Sequence, residues 1–211
     1  MPLDTLLIPG SIEQLDRLEL GVKIASAMMQ LHATEWLSET WGTKDIFFLH
    51  KPKRGRTTTG EIAQIIEPEL GMPFVRRMLG SSPELYPLQH TEHTPEKPAL
   101  MEFDKSLFSL GIVLMELWFE KPLKDLRIDQ NQPSSENADY ETAQQRIGYL
   151  FGEAGQNYGL AVSHCINGLK GRAVKGKPIK SFLDNDDFKN DVHENVVGLL
   201  QRNLEVSRSA T

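Results

Sequence analysis

A cluster of basic side chains is the group of residues in this sequence best suited to binding a ligand. The segment HKPKRGRTTTG, residues 50–60, carries four cations: Lys51, Lys53, Arg54 and Arg56. Positive charge concentrated in this way can dock acidic partner motifs, phosphate groups or a nuclear import receptor. The plainer interpretation, a solvated hairpin tip, is favoured over a binding site, yet no other segment offers a better interaction hypothesis.

Two further charged segments approach known ligand-binding patterns and then depart from them. GRAVKGKP, residues 171–178, has the glycine and lysine spacing of a phosphate-binding loop, but Pro178 stands where a hydroxyl should bind magnesium. DNDDFKND, residues 184–191, begins like a calcium-binding loop, but Lys189 replaces the glycine and Asn195 the final glutamate. We interpret the first segment as a solvated loop and the second as acids that cap the last helix.

The histidines and the single cysteine do not form a convincing reactive group. His90 and His93 have a spacing that can share a metal ion, but no third ligand is suggested, and a surface loop is the expected setting. His164 precedes Cys165, yet adjacent residues of a helix point in different directions, so Cys165 is expected in the core. His32 is expected to cap a helix C-terminus. No metal or cofactor is therefore expected.

Composition restricts the class of protein. The chain has 211 residues and a net charge of −6, which argues against general nucleic-acid binding. With one cysteine, no internal disulfide and no cysteine-rich zinc site can form. The longest mostly apolar stretch, residues 107–119, is too short to span a bilayer. These features predict a cytoplasmic protein without a membrane span, with the nucleus as the alternative location.

The hydrophobic pattern predicts helices around a small hairpin. A first helix is expected over residues 11–32, with Ser11 as its N-cap and Gln14 completing a capping box. Its apolar face is expected at Leu15, Leu18, Val22, Ala25 and Met29. A short strand over residues 46–49, a loop over 50–60 and a returning strand over 61–66 would follow. Residues 67–97 hold five prolines and read mostly as loop.

A helix over residues 106–119 is apolar nearly all round, which indicates a position in the middle of the core. Gly111 within it indicates a close approach by another helix or backbone. Amphipathic helices are then expected over residues 139–151, 157–169 and 190–204. The sequence therefore predicts a mainly α domain over residues 11–205, preceded by an N-terminal segment (1–10) and followed by a disordered tail (206–211).

The order of these elements resembles the C-terminal lobe of a eukaryotic protein kinase. In that family, as here, a helix ending in Leu31-His32 precedes a short strand, Ile46–Leu49, and a later buried helix contains Ser109-Leu110-Gly111. The chain is more specifically similar to a fungal kinase-like domain family of unknown function, often fused to prion-type HeLo domains. That similarity rests on Trp36-Leu37, Trp41, Ile46–Leu49, Leu110–Leu117 and Cys165-Ile166. The resemblance implies a protein-kinase-like C-lobe built around the central helix.

The kinase catalytic loop, His-Arg-Asp-x-x-x-x-Asn, is degenerate in this chain. Counted back from the strand, Ser38, Glu39 and Thr40 stand in place of His, Arg and Asp. Thr40 has no carboxylate with which to accept the proton of a substrate hydroxyl. Asp45 falls at the Asn position, where a carboxylate could still bind a metal. No Asp-Phe-Gly follows the strand, and the Gly-rich loop is missing.

These departures predict a pseudokinase rather than an enzyme. The expected function is a protein-interaction or regulatory module without a cofactor, and the resemblance implies fungal self/non-self signalling. One alternative is a nucleotide-binding or weakly active phosphotransferase that uses Asp45 and needs an N-lobe absent from this chain. Another is a purely structural domain that regulates an effector through an interface. The expected partner is a protein, and neither nucleic acid nor a membrane.

Overall fold

The computed structural model shows a mainly helical chain with one two-stranded antiparallel sheet, which confirms the predicted fold class at this level. The residues that it describes are 1–31, 34, 41–56, 62–75, 105–129, 135–169 and 186–210. For residues 53–56 and 62–66 it describes the backbone alone. In the described part, no helix is both long and apolar enough to cross a membrane.

Helix α1 spans Gln14–Leu31 and begins three residues later than predicted. The expected N-cap, Ser11, is wrong: its hydroxyl donates backward to the carbonyl oxygen of Leu6. The backbone before α1 is held instead by Glu120, which accepts from the N–H groups of Gly10 at 2.8 Å and Ile12 at 2.9 Å. Of the predicted apolar face, Leu18 and Ala25 are buried, while Leu15, Val22 and Met29 are only half-buried.

Helix α2 spans Lys105–Phe119 and lies in the middle of the core, as its apolar sequence predicts. It packs against α4, Gln156–Asn167, and the approach at Gly111 is close. A Cβ atom at Gly111 would lie 2.7 Å from Ile166 Cδ1 and 2.9 Å from Cys165 Cβ. Only glycine allows the two helices this separation, so the predicted close approach is confirmed.

Helix α3 spans Glu136–Glu153 and packs on α4. Its N-cap is Ser135, whose hydroxyl accepts a hydrogen bond from the N–H of Ala138 at 3.2 Å. Such a side-chain acceptor satisfies one of the N–H groups that the first helical turn leaves without a partner. The helix therefore begins three residues before the start that its amphipathic pattern predicts.

The C-terminal segment is one continuous helical run. It comprises α5 (Asp186–Val192), a π-helical turn (His193–Val197) and α6 (Gly198–Ser209). The prediction of a disordered tail is wrong for residues 206–209, which belong to α6. Arg208 donates to Glu19 at 2.6 Å, and this surface contact joins the last turn of α6 to α1.

The β-hairpin is longer than predicted. Strand β1 spans Ile46–Arg56 and β2 spans Ile62–Val75, paired from Ile46↔Val75 to Arg56↔Ile62 with an irregularity between Phe48 and His50. The predicted loop is therefore wrong for residues 50–56, and the predicted irregular segment is wrong for residues 67–75. Strand pairing overrides the loop-like composition of these residues.

Candidate functional site

Asp45 has a structural role at the start of the hairpin. It ends a single 3-10 turn, Thr43–Asp45, directly before β1. One of its carboxylate oxygens, Oδ2, accepts a hydrogen bond from the N–H of Gly42 at 2.9 Å, which closes the turn. The other residues predicted at catalytic-loop positions, Ser38, Glu39 and Thr40, lie outside the described residues.

The buried carboxylate of Glu116 connects this turn to the central helix through a hydrogen bond. Its Oε2 accepts from the hydroxyl of Thr43 at 2.8 Å, and its Oε1 accepts from the N–H of Leu123 at 2.7 Å. Only 9% of Glu116 is exposed, and the loss of hydration raises the pKa of its carboxyl group. Sequence reasoning missed this residue, although a single acid inside an otherwise apolar helix was the available signal.

Strand β1 leaves the helical core at Leu49. Ile46 and Phe48 are buried, whereas the four residues from Leu49 to Pro52 are exposed. Lys51 forms a salt bridge with Glu69 of the neighbouring strand. Beyond their mutual pairing, the two strands make their main contacts with α1 and the N-terminal 3-10 turn, Leu3–Leu6. The hairpin is therefore anchored at its base and projects from the core.

The four predicted basic residues lie on this projecting strand and not in a loop. The backbone register places Lys53, Arg54 and Arg56 opposite Ile65, Gln64 and Ile62, respectively. Successive positions of a strand belong to opposite faces of the sheet. Lys51 and Lys53 thus occupy positions of one face, and Arg54 and Arg56 occupy positions of the other. The strand concentrates positive charge on a chain whose net charge is −6.

Apolar side chains accompany this charge at the base of the hairpin. Leu49, Met72 and Phe74 are 56%, 57% and 40% exposed. Phe74 also borders a cavity of about 30 Å³ that Met28 and Trp41 line from the core side. Pockets for small-molecule ligands measure about 300–1,000 Å³, so this cavity is too small to hold a nucleotide.

The other predicted groups are either structural or lie outside the described residues. Cys165 is buried, and burial raises the pKa of its thiol, as expected for a core residue without a nucleophilic role. Trp41 and Trp118 are buried, and Asp186 lies in the first turn of α5. Of the groups that the sequence analysis singled out, His32, Trp36, His90, His93 and residues 171–178 lie outside the described residues. Among the described residues, no three His, Cys, Asp or Glu side chains form a group that could hold a metal ion.

The fold and the site together define a mainly helical domain that carries a projecting basic hairpin. Residues 2–207 match the family described as "Domain of unknown function (DUF7580)", and the chain belongs to that family. No curated protein and no solved structure matches the chain.

Proposed function

We propose that this chain is a catalytically inactive, kinase-like module that regulates a protein partner by binding it through the hairpin. The observation that carries the proposal is the contrast between two parts of the fold. The helices around α2 form a packed core, whereas β1 leaves that core after Phe48, and its residues from Leu49 to Pro52 are exposed. Among the described side chains, those from Leu49 to Pro52 do not belong to the core, so core packing does not account for this part of the strand.

The residues at the catalytic-loop positions support inactivity. Thr40 stands where a kinase needs a carboxylate to accept the proton of the substrate hydroxyl. Asp45, at the position of the magnesium-binding Asn, accepts a hydrogen bond from the backbone of Gly42. This interaction gives Asp45 a structural reason to be present that does not depend on phosphoryl transfer.

The hairpin supports protein binding. Protein interfaces combine an apolar centre with a polar, often charged, rim. Leu49, Met72 and Phe74 would supply the apolar centre, and the cations of β1 would supply the charged rim. By the resemblance to the fungal kinase-like family, the setting would be cytoplasmic self/non-self signalling.

A phosphoryl-transfer assay tests the inactive state. The purified chain is incubated with γ-labelled ATP, Mg²⁺ or Mn²⁺, and a generic protein acceptor, beside the Asp45→Ala variant. We expect no transfer above background from either protein. Transfer by the wild-type chain that is lost in Asp45→Ala would contradict the proposal and favour a weakly active phosphotransferase.

A pull-down comparison tests the binding role. Three proteins serve as baits: the wild-type chain, the hairpin variant Lys53→Glu/Arg54→Glu, and the control variant Lys105→Glu/Lys124→Glu. The last two variants change the net charge equally, and the two residues of the control are exposed and lie outside the hairpin. We expect the partner to be lost from the hairpin variant alone. Equal retention on all three baits would contradict a role for the hairpin.

A further inference from the structure

The outer edge of β1 already accepts a strand at its first residues. The N–H of Phe48 donates to the carbonyl oxygen of Met1 at 2.9 Å, and the Met1 amino group donates to the Phe48 carbonyl oxygen at 3.0 Å. Pro2 forms an antiparallel bridge with Phe47. These contacts show that the edge opposite β2 has the geometry of an antiparallel ladder.

The same parity extends along the projecting part of the strand. In an antiparallel pair, backbone groups point alternately toward and away from the partner strand. The pairing is irregular between Phe48 and His50, so beyond it the orientation follows from Pro52 and from Pro68 opposite His50, neither of which has an N–H for the ladder. Alternation from these positions places the backbone groups of His50, Pro52, Arg54 and Arg56 outward, as at Phe48. In the part of the chain that the structure describes, β2 pairs with the inner edge of β1, and no strand pairs with its outer edge beyond Phe48.

The prolines of the hairpin agree with this assignment. Pro52 lies at an outward position of β1, and Pro68 and Pro73 are paired with His50 and Phe48, which are outward positions as well. Proline has no N–H, so strands tolerate it where that group would face away from the ladder. Pro52 removes one donor from the outer edge of β1, while His50, Arg54 and Arg56 keep theirs.

We infer that the edge of β1 from His50 to Arg56 binds an extended acidic segment of a partner protein, which adds as a third antiparallel strand in line with Met1 and Pro2. Strand addition obtains its affinity from main-chain hydrogen bonds and its specificity from alternate side chains. The inference rests on the proposed function and specifies the partner that the hairpin recognises.

Charge identifies the occupant of the edge. A second copy of this chain, added edge to edge in antiparallel register, would bring one basic strand against another, and like charges directly opposite each other are destabilising. An acidic strand removes this repulsion. Because Lys51 and Lys53 lie at positions of one face and Arg54 and Arg56 at positions of the other, the ligand needs acids at consecutive positions. A peptide with acids only at every second position would meet cations on one face alone.

Fluorescence anisotropy with a defined peptide tests the inference. The probe is a labelled peptide with four consecutive glutamates flanked by Val-Thr on each side. The control is the same peptide N-methylated at each of its four glutamates, which keeps the charge and removes donors from both edges, so that neither edge of this segment can pair in full. We expect the probe to bind and the N-methylated peptide to bind at least about tenfold more weakly. Affinity should fall with added salt.

Two protein variants locate the binding. Lys53→Glu/Arg54→Glu should reduce affinity for the probe by at least about tenfold, because it reverses two of the four charges. Lys105→Glu/Lys124→Glu, with the same net charge, should stay within about twofold of wild type. Amide hydrogen exchange at His50 and Arg54 should slow on binding, while exchange at Lys51 and Lys53, whose backbone N–H groups face β2, should change little.

The outcomes separate the two proposals. Equal binding of the N-methylated peptide, or unchanged exchange at His50 and Arg54, would overturn strand addition. A probe that does not bind at all would also overturn it, and a negative phosphoryl-transfer assay would leave the inactive state standing in both cases. Phosphoryl transfer that depends on Asp45 would contradict the proposed function whatever the peptide does.

Discussion

At the scale of single residues, Glu116 shows how one buried charge can hold two elements together. It lies in the core helix and satisfies the hydroxyl of Thr43 and the N–H of Leu123, both of which are themselves buried. Removing an acceptor from buried donors costs their full desolvation. The carboxylate is therefore retained despite the cost of its own burial.

Glu116→Ala should lower the free energy of unfolding by about 1–3 kcal/mol, because two buried donors lose their acceptor. Glu116→Gln keeps one carbonyl oxygen in place, and the hydroxyl of Thr43 can rotate to accept from the new amide. We expect a smaller loss in this control. Urea unfolding at neutral pH measures both variants, and equal losses would contradict the assigned hydrogen bonds.

The titration of Glu116 should also appear in the pH dependence of the free energy of unfolding. Burial raises the pKa of Glu116 above its ordinary value of 4.5 in the folded state. Above pH 4.5 the unfolded chain loses this proton before the folded one does, so the contribution of Glu116 to stability falls as the pH rises through the folded-state pKa. Wild type should therefore lose stability relative to Glu116→Gln over that window.

The contribution of Glu19 to stability depends on pH in the opposite direction, but Glu19 is present in both wild type and Glu116→Gln. The hydrogen bond from Arg208 lowers the pKa of Glu19, so its stabilising contribution is lost as the pH falls. In the difference between wild type and Glu116→Gln this contribution cancels. A difference in the free energy of unfolding that stays flat from about pH 4 to 8 would contradict the raised pKa of Glu116.

Gly111→Ala should destabilise the chain by about 1–3 kcal/mol, because the new methyl group would overpack the contact with Ile166 and Cys165. Gly148 of α3 is the matched control, since it is exposed and a Cβ atom there meets no atom within 4 Å. Gly148→Ala should stabilise by up to about 1 kcal/mol through helix propensity. Thermal unfolding distinguishes them, and a stabilising Gly111→Ala would contradict the close packing of α2 on α4.

At the scale of elements, the hairpin register can be tested by crosslinking. Arg54 and Gln64 are paired across the strands. Because the backbone groups of Arg54 point outward, this is a pair without mutual ladder hydrogen bonds. The Cα atoms of such a pair lie about 4.5 Å apart, which is within the range that a disulfide spans. Arg54→Cys/Gln64→Cys should therefore oxidise readily. The control, Arg54→Cys/Ile65→Cys, shifts one partner by a single residue and places it on the other face.

Thiol titration in denaturant after mild oxidation gives the readout. Each variant has the native Cys165 and two introduced cysteines. We expect one free thiol in the first variant and three in the control. Equally fast crosslinking in the control would contradict the register, and no crosslinking in either would contradict the strand assignment of residues 50–56.

The elements differed in how well their sequence predicted them. The core helix was predictable because its apolar residues leave no polar face, and Gly111 within it indicated a close approach by a neighbouring element. The start of α1 was not predictable, because Glu120, which is distant in sequence, binds the backbone that Ser11 was expected to cap. The hairpin was underestimated because glycine, prolines and cations are typical of loops, whereas here the prolines occupy outward strand positions. Asp45 was found from a resemblance, and its hydrogen bond to Gly42 emerged only from the structure.

At the scale of the whole molecule, the chain consists of a packed helical core and a hairpin that extends from it. The helices bury one continuous core, into which the N-terminal segment also packs through Leu3 and Leu6. The hairpin is fixed to this core at its base by the turn that Glu116 holds. A two-stranded hairpin is marginal in isolation, so anchoring of this kind is required for it to present a defined edge.

The central claim is that this fold acts by binding and not by handling nucleotide. Thermal unfolding of the purified chain with and without millimolar ATP and Mg²⁺ tests it most directly, with Asp45→Ala compared against its own ligand-free Tm. A ligand at one hundred times its dissociation constant adds about 2.7 kcal/mol, which for a chain of this size raises Tm by roughly 5–10 °C. We expect no shift in Tm for either protein. A shift of that size in wild type that disappears in Asp45→Ala would contradict it.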